Sequence, residues 1–300
     1  DKPRYVVQKS TAAALDFAAT MAYGSRIVSA YGNPELAGDM TQAALNAWQW
    51  SLENPEVFYE QPEDISTGAY PDTNLTDERF WAASELYLTT GEEVFKSALE
   101  QSYLKPVTPK WDVVQALGAI SLITSDQKDA FEEIRADFID YAEGMLAHQS
   151  ASPYLISMAA FAWGSNSDVG NDGMLKIIAY DLTGDTKYLK AARNDLDYLL
   201  GRNTTGYCFV TGFGNKSPLK PHNRIIAEDG IEAPIPGYIA GGPNTIVLND
   251  CEPEIVDRST FPAASYADVQ CSYSTNETAI NWNAPLVFLT SGLLRTEGSN

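Results

Sequence analysis

Positive charge is scarce in this sequence. Its 300 residues carry 20 Lys and Arg against 40 Asp and Glu, which gives a net charge of −20. Such a field repels phosphate backbones and anionic lipid, so we expect no nucleic acid partner, whereas a neutral polysaccharide is compatible with it. No apolar run approaches the roughly 20 residues of a membrane span, and we therefore expect no membrane partner.

Cysteine is also rare, with only Cys208, Cys251 and Cys271. Their spacing fits neither a disulfide-rich scaffold nor a zinc site. Cys251 and Cys271 lie on two loop arms and could form a bridge, which the sequence leaves open. The chain begins at Asp1 without Met or a signal peptide, so we expect a processed or cut product.

Aromatic residues, in contrast, are plentiful, with 16 Tyr, 11 Phe and 6 Trp. Aromatic faces suit sugar rings, although we expect most of these side chains to lie in the core. The hydrophobic fraction of 44% is typical of a globular protein.

Apolar residues recur at helical spacing along most of the chain. Strand patterns are scarce, the best being Tyr207–Val210. Loops are expected over 56–74 and 203–275. The predicted helices cover 10–31, 34–53, 76–90, 92–102, 111–124, 126–149, 171–183, 186–200 and 277–292.

A weak internal repeat relates Leu86–Ala98 to Tyr180–Ala192. Each copy reads as a helix, a Gly at its C-terminal end, an acidic residue and a second helix. Repeated helical hairpins indicate a solenoid that can close into an α/α barrel. We predict an all-α fold with long loops on one face.

The loops between Cys208 and Ala284 collect the polar groups that a site needs. Two carboxylates, Asp268 and Glu277, and the pair His222 and Arg224 stand in segments rich in Gly, Pro and Asn. Polar residues on long loops of a rigid scaffold usually mark a functional site.

These loops resemble glycoside hydrolase family 9, the cellulases built on an (α/α)6 barrel, and the resemblance covers essentially the whole chain. One segment matches the family's Gly-x-Lys and Pro-His-x-Arg element, and a later one its acid-bearing signature. Departures are Cys208, Asn223 and Val269. The matching residues are Val210, Thr211, Gly214, Lys216, Pro221, His222, Arg224, Pro234 to Gly237, Gly241 to Asn244, Tyr266, Asp268, Tyr273, Glu277, Ala279, Asn283 and Ala284.

The resemblance implies inverting hydrolysis of β-1,4-linked glucans, for which an acid and a base stand about 6.5–9.5 Å apart. It makes Glu277 the general acid and Asp268 a catalytic carboxylate that orients the sugar or the site network. The implied substrate-binding residues are His222, Arg224, Trp163 and Tyr273. The alternatives are a helix-start carboxylate for Glu277, a loop anchor for His222 and Arg224, and a core position for the two aromatics.

In the family, the base lies in an Asp-Ala-Gly-Asp stretch. The nearest match here, Ala37-Gly38-Asp39, falls within an amphipathic helix, and we interpret it as solvated surface. We therefore expect residues 1–300 to be the C-terminal part of a catalytic domain, with an incomplete barrel. The base would belong to a missing N-terminal part of the same protein, and this chain alone would be inactive.

A structural calcium ion is a further expectation, with no cofactor expected for the chemistry itself. Asp77, Glu78 and Asp112 match positions that bind calcium in some members, and hard oxygen ligands suit that ion. The alternative is ordinary capping of a helix N-terminus.

Three functions fit the sequence. The first is a secreted endoglucanase, and the second an exo-acting cellobiohydrolase or exo-glucosaminidase of the same family. The third is a non-catalytic carbohydrate-binding fragment. The loops 56–74 and 225–260 would distinguish the first two by leaving open or blocking one end of a cleft.

Overall fold

The computed structural model describes residues 4–65, 67–247, 250–252 and 260–297. Within these residues the fold is helical, without strands, and β pairing is limited to isolated bridges, so the all-α prediction is confirmed. The α-helices are α1 Thr11–Ala30, α2 Pro34–Glu53, α3 Thr76–Thr90, α4 Glu93–Ser102, α5 Gln115–Thr124, α6 Glu132–Ala151, α7 Ser165–Thr183, α8 Thr186–Leu199, α9 Arg224–Glu228, α10 Tyr273–Asn276 and α11 Ile280–Glu297. Short 3₁₀ turns cover Lys128–Phe131 and Pro262–Ala264.

The chain divides into two compact units, Asp1–Phe138 and Ile139–Asn300. In the first unit, α1 and α2 form a hairpin, and α3 packs against α1, α4 and α5. Small side chains on α1, including Ala18 and Ala22, are fully buried and permit close helix approach. The Asn33 side chain caps α2 by accepting from the backbone N–H of Leu36, and Pro34 occupies the first turn.

In the second unit, α7 packs against α8 and α11. A Cβ on Gly173 would lie 2.7 Å from Leu289, so this glycine permits the close contact of α7 with α11. The fully buried ammonium of Lys176 pairs at 2.7 Å with Asp195, whose other carboxylate oxygen accepts from Gln149. The scaffold that carries the polar loops is therefore a packed group of three helices with an internal ion pair.

The predicted repeat is present in the backbone. Gly91 and Gly184 end α3 and α7 in the left-handed conformation, with φ of 73° and 72°. Each donates its N–H to the carbonyl four residues earlier, at Tyr87 and Tyr180. The first helix of both hairpins therefore ends in the same way, with a left-handed glycine at its C-cap.

Several element boundaries were wrong. The predicted strand at Tyr207–Val210 forms only a single bridge, between Val210 and Ile239. The helix predicted from 111 begins at Gln115, because residues 110–113 form a turn closed by the Lys110–Val113 bridge. The helix predicted from 171 begins at Ser165, directly after Gly164 in the left-handed conformation.

The last predicted helix, 277–292, begins at Ile280, and Glu277 precedes it in extended backbone. The segment predicted as one helix at 126–149 instead forms a 3₁₀ turn followed by α6. The segment predicted as a loop at 203–275 contains short helices. In the described part of the chain, none of the helices combines the length and apolar character that spanning a bilayer requires.

Candidate active site

The backbone of Glu277 is fixed between two loops of the second unit. It forms a parallel bridge with His222, and its carbonyl accepts the N–H of Gly241 at 2.9 Å. Its φ of −65° and ψ of 154° place it after α10 rather than at the start of a helix. The alternative of a helix-start carboxylate is therefore wrong.

The 241–244 loop approaches so closely because two of its positions are glycine. Gly242 has φ of +92°, and a Cβ there would lie 2.4 Å from Cγ of Asn166. Its N–H donates to the carbonyl of Thr275, while Asn166 donates its own N–H to Gly241. Trp282 packs on Gly241, where a Cβ would meet its ring at 3.1 Å. This packing connects the start of α7 to the segment that carries Glu277.

The Glu277 carboxylate is half-buried and contacts an indole. Nε1–H of Trp163 donates to Oε2 of Glu277 at 3.1 Å. Burial raises the pKa of Glu277 above its ordinary value, against the opposing effects of the Trp163 hydrogen bond and the charge of His222. A raised pKa favours the protonated carboxyl that a general acid requires. Asp268 is not among the causes of this pKa shift, which is instead led by burial.

Trp163, Tyr273 and His222 form a row of rings beside Glu277. The centroids of Trp163 and Tyr273 lie 5.3 Å apart at a tilt of 42°, and those of Tyr273 and His222 lie 5.8 Å apart, edge to face. Trp163 is 44% exposed, so its alternative assignment to the core is wrong. The row offers apolar faces of the kind that sugar rings stack on.

Hydrogen bonds from the main chain and the ring of His222 hold this residue in place. Its N–H donates to the carbonyl of Asn276 at 2.8 Å, and Nδ1 lies 2.6 Å from the carbonyl oxygen of Gln270. A carbonyl only accepts, so Nδ1 carries a hydrogen and donates it to Gln270. The loop-anchor alternative therefore holds for the main chain and Nδ1 of His222, which both bind backbone carbonyls.

Asp268 binds backbone amides. Its two carboxylate oxygens accept from the N–H groups of Leu219 and Lys220, at 2.8 and 2.9 Å. Oδ1 also accepts from Nδ2 of Asn276 at 3.2 Å. Of the two roles predicted for Asp268, these contacts support orientation of the site network, because they hold the 219–222 segment and α10 together.

Arg224 is the first residue of α9 and is exposed. In the described part of the chain, its guanidinium makes no ion pair or hydrogen bond with the other predicted site residues. Asn223, a departure from the family pattern, caps α9 by accepting from the N–H groups of Ile225 and Ile226. Its Nδ2 also donates to Thr278 Oγ1 at 3.0 Å, a contact that ties this turn to the residue after Glu277.

Cys251 and Cys271 form a disulfide, with their Cα atoms 5.4 Å apart, and Cys208 is a buried free thiol. Asp250, which sequence reasoning missed, accepts from the backbone N–H of Ser274 at 2.9 Å and from its hydroxyl at 2.6 Å. The disulfide and this carboxylate together attach the 250–252 segment to the start of α10. The position beside a cysteine was the only signal for Asp250 in the sequence.

The predicted calcium residues lie in the first unit. Asp77 and Glu78 are each 1% exposed, and Oδ2 of Asp77 accepts the N–H of Val114 at 2.8 Å. Leu75 occupies the N-cap position of α3 and makes no side-chain cap, while Asp77 and Glu78 are the acidic residues of the first turn. Asp112 lies in the turn before α5, two residues ahead of Val114.

Burial and neighbouring like charges both disfavour the ionised form of the carboxyls in this region. Burial, a hydrogen bond with Asp72 and the charge of Asp77 raise the pKa of Glu78 to about 10. Burial and the charges of Asp72 and Asp77 raise the pKa of Asp16 to about 7. Oδ1 of Asp77 and Oε2 of Glu78 are buried without a hydrogen-bond partner in the described structure, so their chemistry fits a hard cation.

A half-buried carboxylic acid beside aromatic rings provides a proton donor and a surface for a sugar, and glycoside hydrolysis needs such a donor. The chain belongs to glycosyl hydrolase family 9, whose sequence profile matches residues 1–290. This confirms the resemblance and, with the helical architecture, the predicted (α/α)6 barrel class.

Similar proteins include the xyloglucan-specific endo-β-1,4-glucanase BoGH9A of Bacteroides ovatus, 40% identical over 97% of this chain and 52% of that protein. A cellulose 1,4-β-cellobiosidase of Acetivibrio thermocellus is 33% identical over 97% of this chain and 36% of its own length. The solved structure of AaCel9A in complex with cellobiose-like isofagomine matches with a TM-score of 0.90 and 31% identity. That match covers 98% of this chain and 57% of the solved one, so the chain spans about half the length of these relatives or less.

Proposed function

We propose that this chain supplies the acid-bearing part of an inverting β-1,4-glucan hydrolase. The observation that carries the proposal is the half-buried Glu277 carboxyl, hydrogen-bonded to the exposed Trp163 indole in a row of three rings. Burial favours the protonated acid, and the rings provide a surface on which a sugar can be oriented.

The chemical step assigned to Glu277 is protonation of the glycosidic oxygen as the bond from the anomeric carbon to that oxygen breaks. Water then attacks the anomeric carbon from the opposite face, and a second carboxylate takes the proton of that water. Asp39, in the nearest match to the family's base segment, is exposed on α2, which supports its interpretation as surface. The base is accordingly assigned to a part of the protein beyond this chain.

Endo-acting hydrolysis is the favoured mode, because the relative with 40% identity is named an endo-β-1,4-glucanase with xyloglucan as its substrate. Exo action is a second candidate, since another relative is named a cellobiosidase. The loop 225–260, which we expect to separate the two modes, includes residues 248–249 and 253–259, which lie outside the described residues, as does residue 66 of the loop 56–74.

Secretion is part of the proposal and is supported by the Cys251–Cys271 disulfide, because disulfides form and persist mainly in oxidising compartments. A calcium ion held by Asp77, Glu78 and Asp112 is a further proposal, supported by the unpaired buried oxygens of the first two residues. We propose that the ion has a structural role.

The test uses the enzyme expressed from its full open reading frame, with Glu277→Gln compared with Glu228→Gln, an exposed carboxylate on α9. Reducing ends released from carboxymethylcellulose, xyloglucan and chitosan identify the substrate, and viscosity loss per bond cleaved separates endo from exo action. We expect Glu277→Gln to lower kcat by about 10²–10⁴-fold, which is the usual contribution of a general acid. The control should keep wild-type activity.

Two results would contradict the proposal. An active Glu277→Gln enzyme would remove the acid assignment, and an inactive wild-type enzyme that still binds glucan would favour a binding protein. NMR of the first product anomer supplies an independent check, because inversion of a β-linkage gives the α-anomer.

A further inference from the structure

Asn276, the residue before the proposed acid, is completely buried although its side chain is a polar amide. It is not one of the residues on which the resemblance to the family rests. Asn276 ends α10, and Glu277 follows in extended backbone before α11 begins. The N–H of Glu277 reaches the carbonyl of Tyr273 only at 3.3 Å, so α10 holds this residue weakly and contacts with other segments must fix its backbone.

The Asn276 amide is hydrogen-bonded at both of its ends. Oδ1 accepts from the hydroxyl of Tyr266 at 2.6 Å. Nδ2 donates to the carbonyl of Lys220 at 2.6 Å and to Oδ1 of Asp268 at 3.2 Å. A carbonyl and an ionised carboxylate only accept, so these two partners determine which end of the amide is nitrogen. A single buried side chain therefore joins the end of α10 to two separate loop segments.

The main chain of Asn276 adds a further contact with the site. Its carbonyl accepts the N–H of His222 at 2.8 Å, and His222 also forms the parallel bridge with Glu277. Within the described residues, the carboxyl of Glu277 has a single hydrogen bond, which comes from Trp163. The direction of the carboxyl therefore depends mainly on the backbone that Asn276 holds in place.

We propose that Asn276 is a positioning residue of the acid, because its buried amide fixes the backbone from which Glu277 reaches the glycosidic oxygen. The inference rests on the proposed function, since it assumes that Glu277 donates the proton. A displacement of about 1 Å in a catalytic group can lower the rate by about 10²-fold. Asn276 acts through Glu277 and not on the sugar, because its own side chain is enclosed by protein.

The experiment uses the full-length enzyme and two substrates that differ in their need for a proton. A cello-oligosaccharide releases a sugar hydroxyl, whose oxygen has to be protonated, whereas dinitrophenyl β-cellobioside releases a stable phenolate that leaves without a proton. Asn276→Ala is compared with Glu277→Gln, which removes the acid. Asn203→Ala is the matched control, since its partly buried amide also donates to two carbonyls, those of Tyr198 and Tyr207.

We expect Asn276→Ala to lower kcat on the oligosaccharide by about 10–10²-fold, with KM nearly unchanged. It should keep most of the wild-type rate on the dinitrophenyl substrate, because that reaction does not need an aligned acid. Asn203→Ala should lower the melting temperature and keep both rates. A role of Asn276 in stability alone would lower both rates together, in proportion to the folded fraction measured by circular dichroism.

Tyr266→Phe keeps the question open to test if Asn276→Ala does not fold. This variant retains the ring and removes the hydroxyl that donates to Oδ1 of Asn276. We expect a smaller loss than in Asn276→Ala, again confined to the oligosaccharide. Adding Tyr266→Phe to Asn276→Ala should lower kcat no further, because the hydroxyl would act through the amide that is already absent.

The inference is overturned if Asn276→Ala and Tyr266→Phe slow both substrates equally, or slow neither, while Glu277→Gln slows the oligosaccharide selectively. That pattern would leave Glu277 as the acid and make Asn276 a residue of the scaffold. If Glu277→Gln itself slows both substrates equally, the acid assignment fails and the positioning role fails with it. The response of Glu277→Gln therefore distinguishes failure of this inference from failure of the proposed function.

Discussion

The indole N–H of Trp163 donates a 3.1 Å hydrogen bond to Oε2 of Glu277. This contact lowers the pKa of a carboxyl whose burial raises it. Since the proposed acid works only while protonated, activity should fall as pH rises through that pKa. The hydrogen bond therefore limits the alkaline range in which the acid can act.

Replacing this hydrogen bond tests the relationship directly. Trp163→Phe keeps a ring but removes the donor, so the pKa of Glu277 should rise further. The alkaline limb of the kcat/KM profile of the full-length enzyme should then move to higher pH. Tyr273→Phe, which keeps its ring and leaves the indole intact, is the control. An unchanged limb in Trp163→Phe, or a shift toward acid, would contradict the assigned effect of the indole.

Asp268→Asn should loosen the 219–222 segment, because an amide cannot accept at both of its terminal atoms. Hydrogen bonds to charged groups each contribute about 1.5–3 kcal/mol, so we expect a loss of about 2 kcal/mol in the free energy of unfolding. Urea titration of the 300-residue chain measures it, with the exposed Glu232→Gln as the control. Equal stability of wild type and Asp268→Asn would show that the two amide contacts contribute little.

The Cys251–Cys271 disulfide, with a sequence separation of 20, should stabilise the chain measurably. A closed loop of this size is worth about 3 kcal/mol through restriction of the unfolded state. Dithiothreitol should lower the urea midpoint of the wild type and leave that of the Cys251→Ser/Cys271→Ser variant unchanged. Cys208→Ala is the control and should still respond to the reductant, because Cys208 is a free thiol. A wild type that is insensitive to complete reduction would argue against a stabilising bridge.

Gly242→Ala should be much more destabilising than Gly230→Ala. Both glycines have positive φ, +92° and +74°, but only at Gly242 would the added Cβ collide with a neighbour, Asn166. The shared conformational strain costs about 1–3 kcal/mol, and the collision should add to it. The difference between the melting temperatures of the Gly242→Ala and Gly230→Ala variants measures the cost of the collision. Equal decreases in melting temperature would mean that the 241–244 loop relaxes away from α7.

Lys176→Met should strongly destabilise the second unit, because it leaves the fully buried Asp195 without its cation. Breaking a buried pair in this way costs about 3–5 kcal/mol. The double variant Lys176→Met/Asp195→Leu should recover much of the loss, since it removes both charges. If the double variant is no more stable than the single one, the loss comes from packing rather than from the unpaired charge.

The sequence by itself determined the helices and the family. Their signals are local: apolar spacing, Gly91 and Gly184 at helix ends, and motif residues at fixed separations. It also singled out Glu277, His222 and Trp163 as candidate site residues, because they stand in motifs whose spacing can be read along the chain, and the structure brings the three together. Boundaries such as 111–114 and 277–279 were missed, because a turn or a bridge to a distant loop replaces the first turn of the expected helix.

Only the tertiary structure decided what each side chain contacts. In the folded chain, Asp268 accepts hydrogen bonds from the amides of Leu219 and Lys220. Cys251 is bonded to Cys271, and Trp163 donates a hydrogen bond to Glu277. It also brought Asp16 near Asp77, although no local pattern connects them. These relationships depend on segments far apart in sequence, and hydrogen bonds and burial between such segments are fixed only when the helices pack.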